Sequence, residues 1–213
     1  MVFAELLKLI GREPLFETGF LLAGPEKPSY IHRQLAEWVD AGKLLQFRRG
    51  LYAPAPPYQK AVPHPFLVAN RMVPGSYVSL QAVLGYYGLI PEYVPAVTSV
   101  TSRGSRRWVT PAGQMIYRAI RRDLIFGYER ISVAPEQSAF VALPEKALLD
   151  LIYLQPGGDE RDYLESLRLQ NLERIDPLKL AELAERMRKP KLSRAVRIIA
   201  DLKQVEQELY EAL

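Results

Sequence analysis

Cysteine is absent from the chain, so neither a disulfide framework nor a thiolate metal site can form, which fits a reducing compartment. Histidine is nearly absent too: His32 and His64 give zinc little to bind. No run approaches the ~20 apolar residues of a membrane span. Glu5 and Lys8 interrupt the apolar start, so neither a signal peptide nor an anchor is expected and cytoplasmic residence is the default. The G-x-x-x-x-G-K-[ST], G-x-G-x-x-G and G-x-S-x-G patterns are missing, which leaves phosphate-loop, dinucleotide and serine-hydrolase chemistry without their signatures. There is no internal repeat. What is present is an ordinary composition over 213 residues, enough for one large or two small domains with normal cores.

The most informative stretch is Ser29–Pro54. Ser29 is a suitable N-cap, and Ile31, Leu35, Trp38 and Val39 recur with helical spacing, leaving Tyr30, Arg33, Gln34 and Glu37 on the opposite face. Gly42 closes that helix. Leu44, Leu45 and Phe47 make a β-like run, Arg48-Arg49-Gly50 a turn, and Leu51-Tyr52-Ala53 the return strand. Ahead of it, Phe3, Leu6, Leu7 and Ile10 predict a first helix and Phe16–Leu22 a short second one. Three short helices and a hairpin in 54 residues describe a winged helix-turn-helix. In that reading Tyr30, Arg33 and Gln34 face DNA from a recognition helix capped by Ser29, and Arg48 and Arg49 reach phosphates or a minor groove. A capped amphipathic helix before a hairpin also occurs in small domains that bind no nucleic acid, where Arg33 and Gln34 are a solvated face.

Net charge is +4, and its distribution says more. Residues 1–54 hold 7 basic and 6 acidic side chains, 55–155 hold 10 and 6, and 156–213 hold 11 and 12, so the excess belongs to the middle. There Arg103, Arg106, Arg107, Arg118, Arg121 and Arg122 fall within twenty residues that contain no acid. Such a cluster suits phosphate or an acidic protein partner. It is equally the composition of solvated strand edges that discourage pairing.

Pro54, Pro56, Pro57, Pro63 and Pro65 mark a boundary, so residues 55–65 are expected to be a semi-rigid linker between a domain at 1–54 and another at 66–213. Ser79 is expected to cap a helix over Leu80–Tyr87. Ala96–Thr101, Arg107–Thr110, Gln114–Ile120, Ile125–Val133 and Ala139–Leu143 read as strands of a mostly antiparallel sheet. Pro144–Leu154, apolar almost all round, is expected as a helix buried against that sheet, closing a unit at 66–155. Asp159–Leu169, Asp176–Arg188 and Leu192–Leu213 follow as a helical region at 156–213. The last carries a narrow stripe of Ala195, Ile198, Leu202, Val205 and Leu209. The fold class is thus α+β: a winged helix, then a mixed α/β domain with C-terminal helices.

Glu145, Lys146 and Asp150 invite a metal-dependent nuclease reading, in which two acids and a lysine activate water. Their spacing favours a structural role, because Glu145 and Lys146 diverge on a helix while Lys146 and Asp150 can pair at i, i+4. Asp159, Glu160 and Asp162 could ligate magnesium but sit where a helix starts. No catalytic residue, metal or cofactor is therefore assigned. A metal-dependent enzyme using Glu145, Asp150 or Asp159 is the rival class.

Three blocks, LAEWVDAGKLLQFRRGLYAP, then YVSLQAVLGYYGLIPE with VTSVTSRGSRRWVTPAGQMIYRAI, and ALPEKALLDLIYL, resemble in order and spacing the AbiEi-type antitoxins, transcriptional regulators of viral defence systems. The resemblance implies the antitoxin half of a two-gene system whose toxin is an AbiEii-type nucleotidyltransferase. It also implies repression of its own promoter, with the N-terminal winged helix on operator DNA and the C-terminal domain needed for antitoxicity. DNA contacts would then fall on Tyr30, Arg33, Gln34, Arg48 and Arg49, and the middle arginines would form a second basic surface for DNA or toxin. The expected partners are an inverted or direct repeat upstream of its own gene, bound by a homodimer or by cooperating copies, and the cognate toxin, with no membrane. A stand-alone regulator without a toxin has the same sequence features.

Overall fold

The fold is seen in a computed structural model that describes residues 1–24, 26–91 and 95–211, with side chains of the last helix described to residue 204. The N-terminal unit is built from α1 (Phe3–Ile10), β1 (Phe16–Glu17), α2 (Thr18–Leu22), α3 (Pro28–Asp40), β2 (Leu44–Arg48) and β3 (Leu51–Pro54). Leu6, Ile10, Leu21, Ile31, Leu35, Trp38 and Leu44 face one another in a small core, as the helical spacing required. The three strands form an antiparallel sheet of order β1-β3-β2. The segment expected as a second helix splits: Phe16 pairs with Tyr52 as a strand, and only Thr18–Leu22 is helical. Ser29 is not the cap of α3. Lys27 holds that position and Pro28 is the first helical residue, where its missing N–H costs nothing. Gly42, at φ +67, does end the helix as expected.

The remainder is a six-stranded sheet flanked by helices. Its strands are β4 (Tyr77–Val78), β5 (Ala96–Thr101), β6 (Arg106–Thr110), β7 (Gly113–Ala119), β8 (Tyr128–Ala134) and β9 (Gln137–Ala142), in the order β6-β7-β5-β4-β9-β8. Three pairings are antiparallel, but β5 with β7 and β4 with β9 run parallel. The sheet is therefore mixed: the mostly antiparallel expectation covers its two hairpins and its central β5–β4 pair, but not the β7–β5 and β4–β9 pairs that flank the centre. Short turns such as 111–112 dictate hairpins locally, whereas pairing between distant strands is set by which edges the helices leave open.

α4 (Pro65–Met72) lies on one face of this sheet, where Tyr117 donates to the Ala69 carbonyl at 2.8 Å and Asn70 brackets the Phe140 main chain with bonds of 2.6 and 3.3 Å. α5 (Gln81–Tyr86), α6 (Pro144–Leu154), α7 (Arg161–Ser166), α8 (Pro177–Met187) and α9 (Pro190–Glu211) complete the helices that flank the sheet. α6 covers the opposite face, buried from Glu145 to Ile152 as its all-round apolar pattern predicts. Asp176 caps α8 by accepting from the Leu178 and Lys179 N–H groups. In α9 the inward residues are Leu192, Ala195 and Ile199; Ile198 is only half-buried, and Val205 and Leu209 lie outside the described side chains. The buried stripe keeps a three-and-four spacing, but the contacts with α6, α7 and α8 take Ile199 inward in place of Ile198.

Residues 55–64 do not form a free spacer. Gln137 of β9 donates to the Val62 carbonyl at 2.9 Å and accepts from the His64 N–H at 2.8 Å, pinning the segment to the sheet. The hairpin residues Phe47, Leu51 and Ala53 join the larger core beside Leu15 and α4, so the N-terminal unit is docked on α4.

Candidate nucleic-acid interface

α3 buries Ile31, Leu35 and Trp38 and leaves Ser29, His32, Arg33, Ala36, Glu37 and Asp40 exposed along its outer side. Arg33 extends between Glu37, 3.6 Å from its Nε, and the Tyr30 ring, 5.6 Å from its guanidinium carbon. Both contacts are solvent-exposed and hold it weakly, so the side chain is directed without being immobilised. Gln34 is different. Its Nε2 donates to the Met1 carbonyl at 2.5 Å and to Tyr30 Oη at 3.0 Å, and its Oε1 is buried with no hydrogen-bond partner among the described residues. The two residues expected to face outward together are therefore separated, with Arg33 outside and Gln34 clamping the N-terminus.

The turn arginines divide in the same way. Arg49 is exposed, whereas Arg48 turns back: its Nη2 donates to the Arg71 carbonyl of α4 at 3.1 Å and lies 3.7 Å from Glu17, and its Nη1 donates to the Arg49 carbonyl. A guanidinium has five donors in a fixed fork, and here the fork joins hairpin to helix.

The six middle arginines do not form one patch. Arg106 and Arg107 are neighbours on β6, so the two-residue period of a strand sends them to opposite faces. Arg106 lies 5.8 Å over Trp108, whose ring meets Tyr117 edge-on on the α4 side. Arg107 and Arg118 occupy the other face. Arg121 is held by a bidentate pair with Asp123 at 3.0 and 2.8 Å, beside Arg122 in a 3-10 turn, and Arg103 is exposed in the loop between β5 and β6. The strand alternation in RRWVT is the signal in the sequence that separates Arg106 from Arg107.

Lys146 and Asp150 pair as the i, i+4 spacing suggested, with both side chains wholly buried. Asp150 also accepts from Tyr77 at 2.8 Å and Ser79 at 2.9 Å, and Lys146 donates to Tyr77 Oη at 2.8 Å. Ser79 is thus spent on Asp150 and does not cap α5, whose N-cap is Leu80. Burial pushes the Asp150 carboxyl up and the Lys146 ammonium down, and each is opposed by the charge of the other. Burial, then the Asp150 charge, raises Tyr77 far above the ordinary phenol range. Glu145 points away from this cluster and accepts from the Asp176 N–H at 2.9 Å. Asp159 is bound to Arg194 at 2.7–2.8 Å. Among the described residues, no three His, Cys, Asp or Glu side chains are close enough to hold a metal ion, and no helix is long and apolar enough to cross a membrane.

No family model and no curated protein matches the chain. Among solved structures, the crystal structure of RV2827C protein from Mycobacterium tuberculosis is similar in fold, with a TM-score of 0.58 and 16% identity over 92% of this chain and 75% of that one. The mixed α and β architecture, with its C-terminal helices, is one that a natural protein of very different sequence also adopts.

Proposed function

We propose that this protein is a DNA-binding autorepressor and the antitoxin of a nucleotidyltransferase, with residues 1–54 acting as a winged helix-turn-helix. The observation that carries the reading is the uncovered face of α3, which follows α2 in the chain and runs directly into the β2–β3 hairpin. A recognition helix needs such a face, free over several turns and backed by a core that fixes its angle. In this arrangement Arg33 reads base edges, with Tyr30 limiting its swing, and Gln34 keeps the N-terminus against α3. Arg49 contacts phosphate from the turn, while Arg48 sets the hairpin's angle on α4. A unit this small covers a short half-site, so two copies on an inverted or direct repeat are expected.

The antitoxin part rests on the resemblance of the three sequence blocks to AbiEi-type proteins. The buried α6 block then serves as the packing element of the domain that neutralises the toxin. Fluorescence anisotropy of the full chain on its own upstream DNA and on a scrambled duplex, at roughly 0.15 M salt, tests the regulator. A preference of about 10³ or more for the native sequence supports it, and equal binding rejects it. Co-expression with an AbiEii-type nucleotidyltransferase tests the second half: growth rescue is expected, and continued toxicity rejects it.

A further inference from the structure

On the face of the large sheet opposite α4, a cavity of about 470 Å³ opens between β6, β7 and β5 on one side and α5, α6 and α7 on the other. That volume is the size of a small-molecule site. Its aliphatic wall includes Leu80, Ile90, Ile116 and Leu151, and its polar side is Arg107 and Arg118. Arg107 pairs with Ile116 across β6 and β7, which makes Arg118 its diagonal neighbour on the same face, at a separation of about 7–8 Å that is somewhat less between Cβ atoms. Long side chains at that spacing can close on one small anion.

Two guanidinium groups share this wall, and among the described residues no carboxylate lines the cavity or pairs with either of them. Side by side they repel, and an anion between them removes that cost. The apolar wall is also held in an unfavourable conformation. Leu80 sits at φ 61 and ψ −143, a region leucine rarely enters, at a cost of about 1–3 kcal/mol. Its neighbour is fixed on three sides: Ser79 Oγ donates to Asp150, the Ser79 carbonyl accepts from Thr98 Oγ1 at 2.7 Å, and the Ser79 N–H donates to the Thr98 carbonyl at 3.0 Å. The buried polar cluster therefore maintains the backbone that shapes the cavity.

We infer that this cavity binds a small organic anion, a carboxylate or phosphate monoester on an apolar body, with Arg107 and Arg118 taking the charge and the aliphatic wall taking the body. The site stands independently of DNA binding and of any toxin. Isothermal titration of the full chain with octanoate and with phenyl phosphate tests it, with acetate and inorganic phosphate as controls that carry only the charged head. At least one of the two larger anions should bind, at least about tenfold more tightly than its head alone. Arg118→Met and Arg107→Met should each weaken that binding by about tenfold or more, whereas Arg106→Met, on the other sheet face, should leave it unchanged. Thermal melts check that each of the three variants is folded, and all three positions are exposed. If neither larger anion binds, if the heads bind equally well, or if Arg107→Met and Arg118→Met bind like the parent, the inference is overturned and the two arginines are only a solvated pair on the sheet face.

Discussion

Arg48 Nη2 donates to the Arg71 carbonyl at 3.1 Å, so a residue of the β2–β3 hairpin is bonded to the last turn of α4. The hairpin cannot swing freely on its turn. Together with the apolar contacts of Phe47 and Leu51, this bond makes the orientation of α3 a property of the whole molecule.

Arg48 and Arg49 should consequently separate in mutagenesis. Arg49→Ala is expected to lower the slope of log K against log salt for DNA by about one unit with no change in stability. Arg48→Ala should cost roughly 1 kcal/mol and raise hydrogen exchange in 44–54, since its side chain is 28% exposed and its bonds are partly screened. Equal salt slopes for the two variants would refute the division of roles.

Arg33→Ala should reduce the preference for operator over scrambled DNA by ~1–3 kcal/mol, the contribution of one bidentate base contact, while non-specific binding changes little. Competition anisotropy measures both. A uniform loss across sequences would move Arg33 to the phosphate backbone.

Breaking the Lys146–Asp150 pair should be among the most damaging changes outside the apolar core. Lys146→Met or Asp150→Leu leaves one buried charge without its partner and should cost about 3–5 kcal/mol in denaturant unfolding. The double variant should lose less than the two single losses combined, by roughly 0.5–3 kcal/mol. Additive losses would mean that Tyr77 and Ser79 matter more to Asp150 than Lys146 does.

His64 gives stability a pH dependence. Its Nδ1 accepts from the Phe66 N–H at 3.2 Å as the cap of α4, which needs the neutral ring, and burial lowers its pKa from 6.5. The unfolded chain therefore takes up the proton first as pH falls. The contribution is fully present above 6.5 and is lost as pH drops through the folded value. His64→Asn, which caps without titrating, should remove this dependence while keeping the cap's contribution of about 0.5–2 kcal/mol. Unfolding midpoints on either side of 6.5 check it, and an unchanged pH profile in the variant would exclude His64 as the source.

Elements whose causes are local were legible in the sequence. α1, the body of α3, the strands 96–101 and 114–119, and α6 follow from apolar spacing, β-branched runs and Pro or Gly boundaries that act within a few residues. Caps were less so. Ser29 and Ser79 have the right chemistry, but Pro28 starts α3 two residues earlier than a Ser29 cap would and Asp150, 71 residues away, claims Ser79. The pairing of Lys146 with Asp150 could be read from one helical turn. Its complete burial, and the convergence of Tyr77 and Ser79 on it, required the sheet and α6 to meet.

The arginines show the same division. Sequence alone determined that positive charge concentrates between 103 and 122, and that α3 has one polar side. Only the tertiary structure decided that Arg48 turns inward while Arg49 stays out, that Gln34 holds Met1, and that Arg107 joins Arg118 at a cavity while Arg106 stacks on Trp108 across the sheet. The physical reason is that helical and strand periodicities are set by neighbours along the chain. The partner each polar side chain finds depends on which distant surfaces burial brings against it.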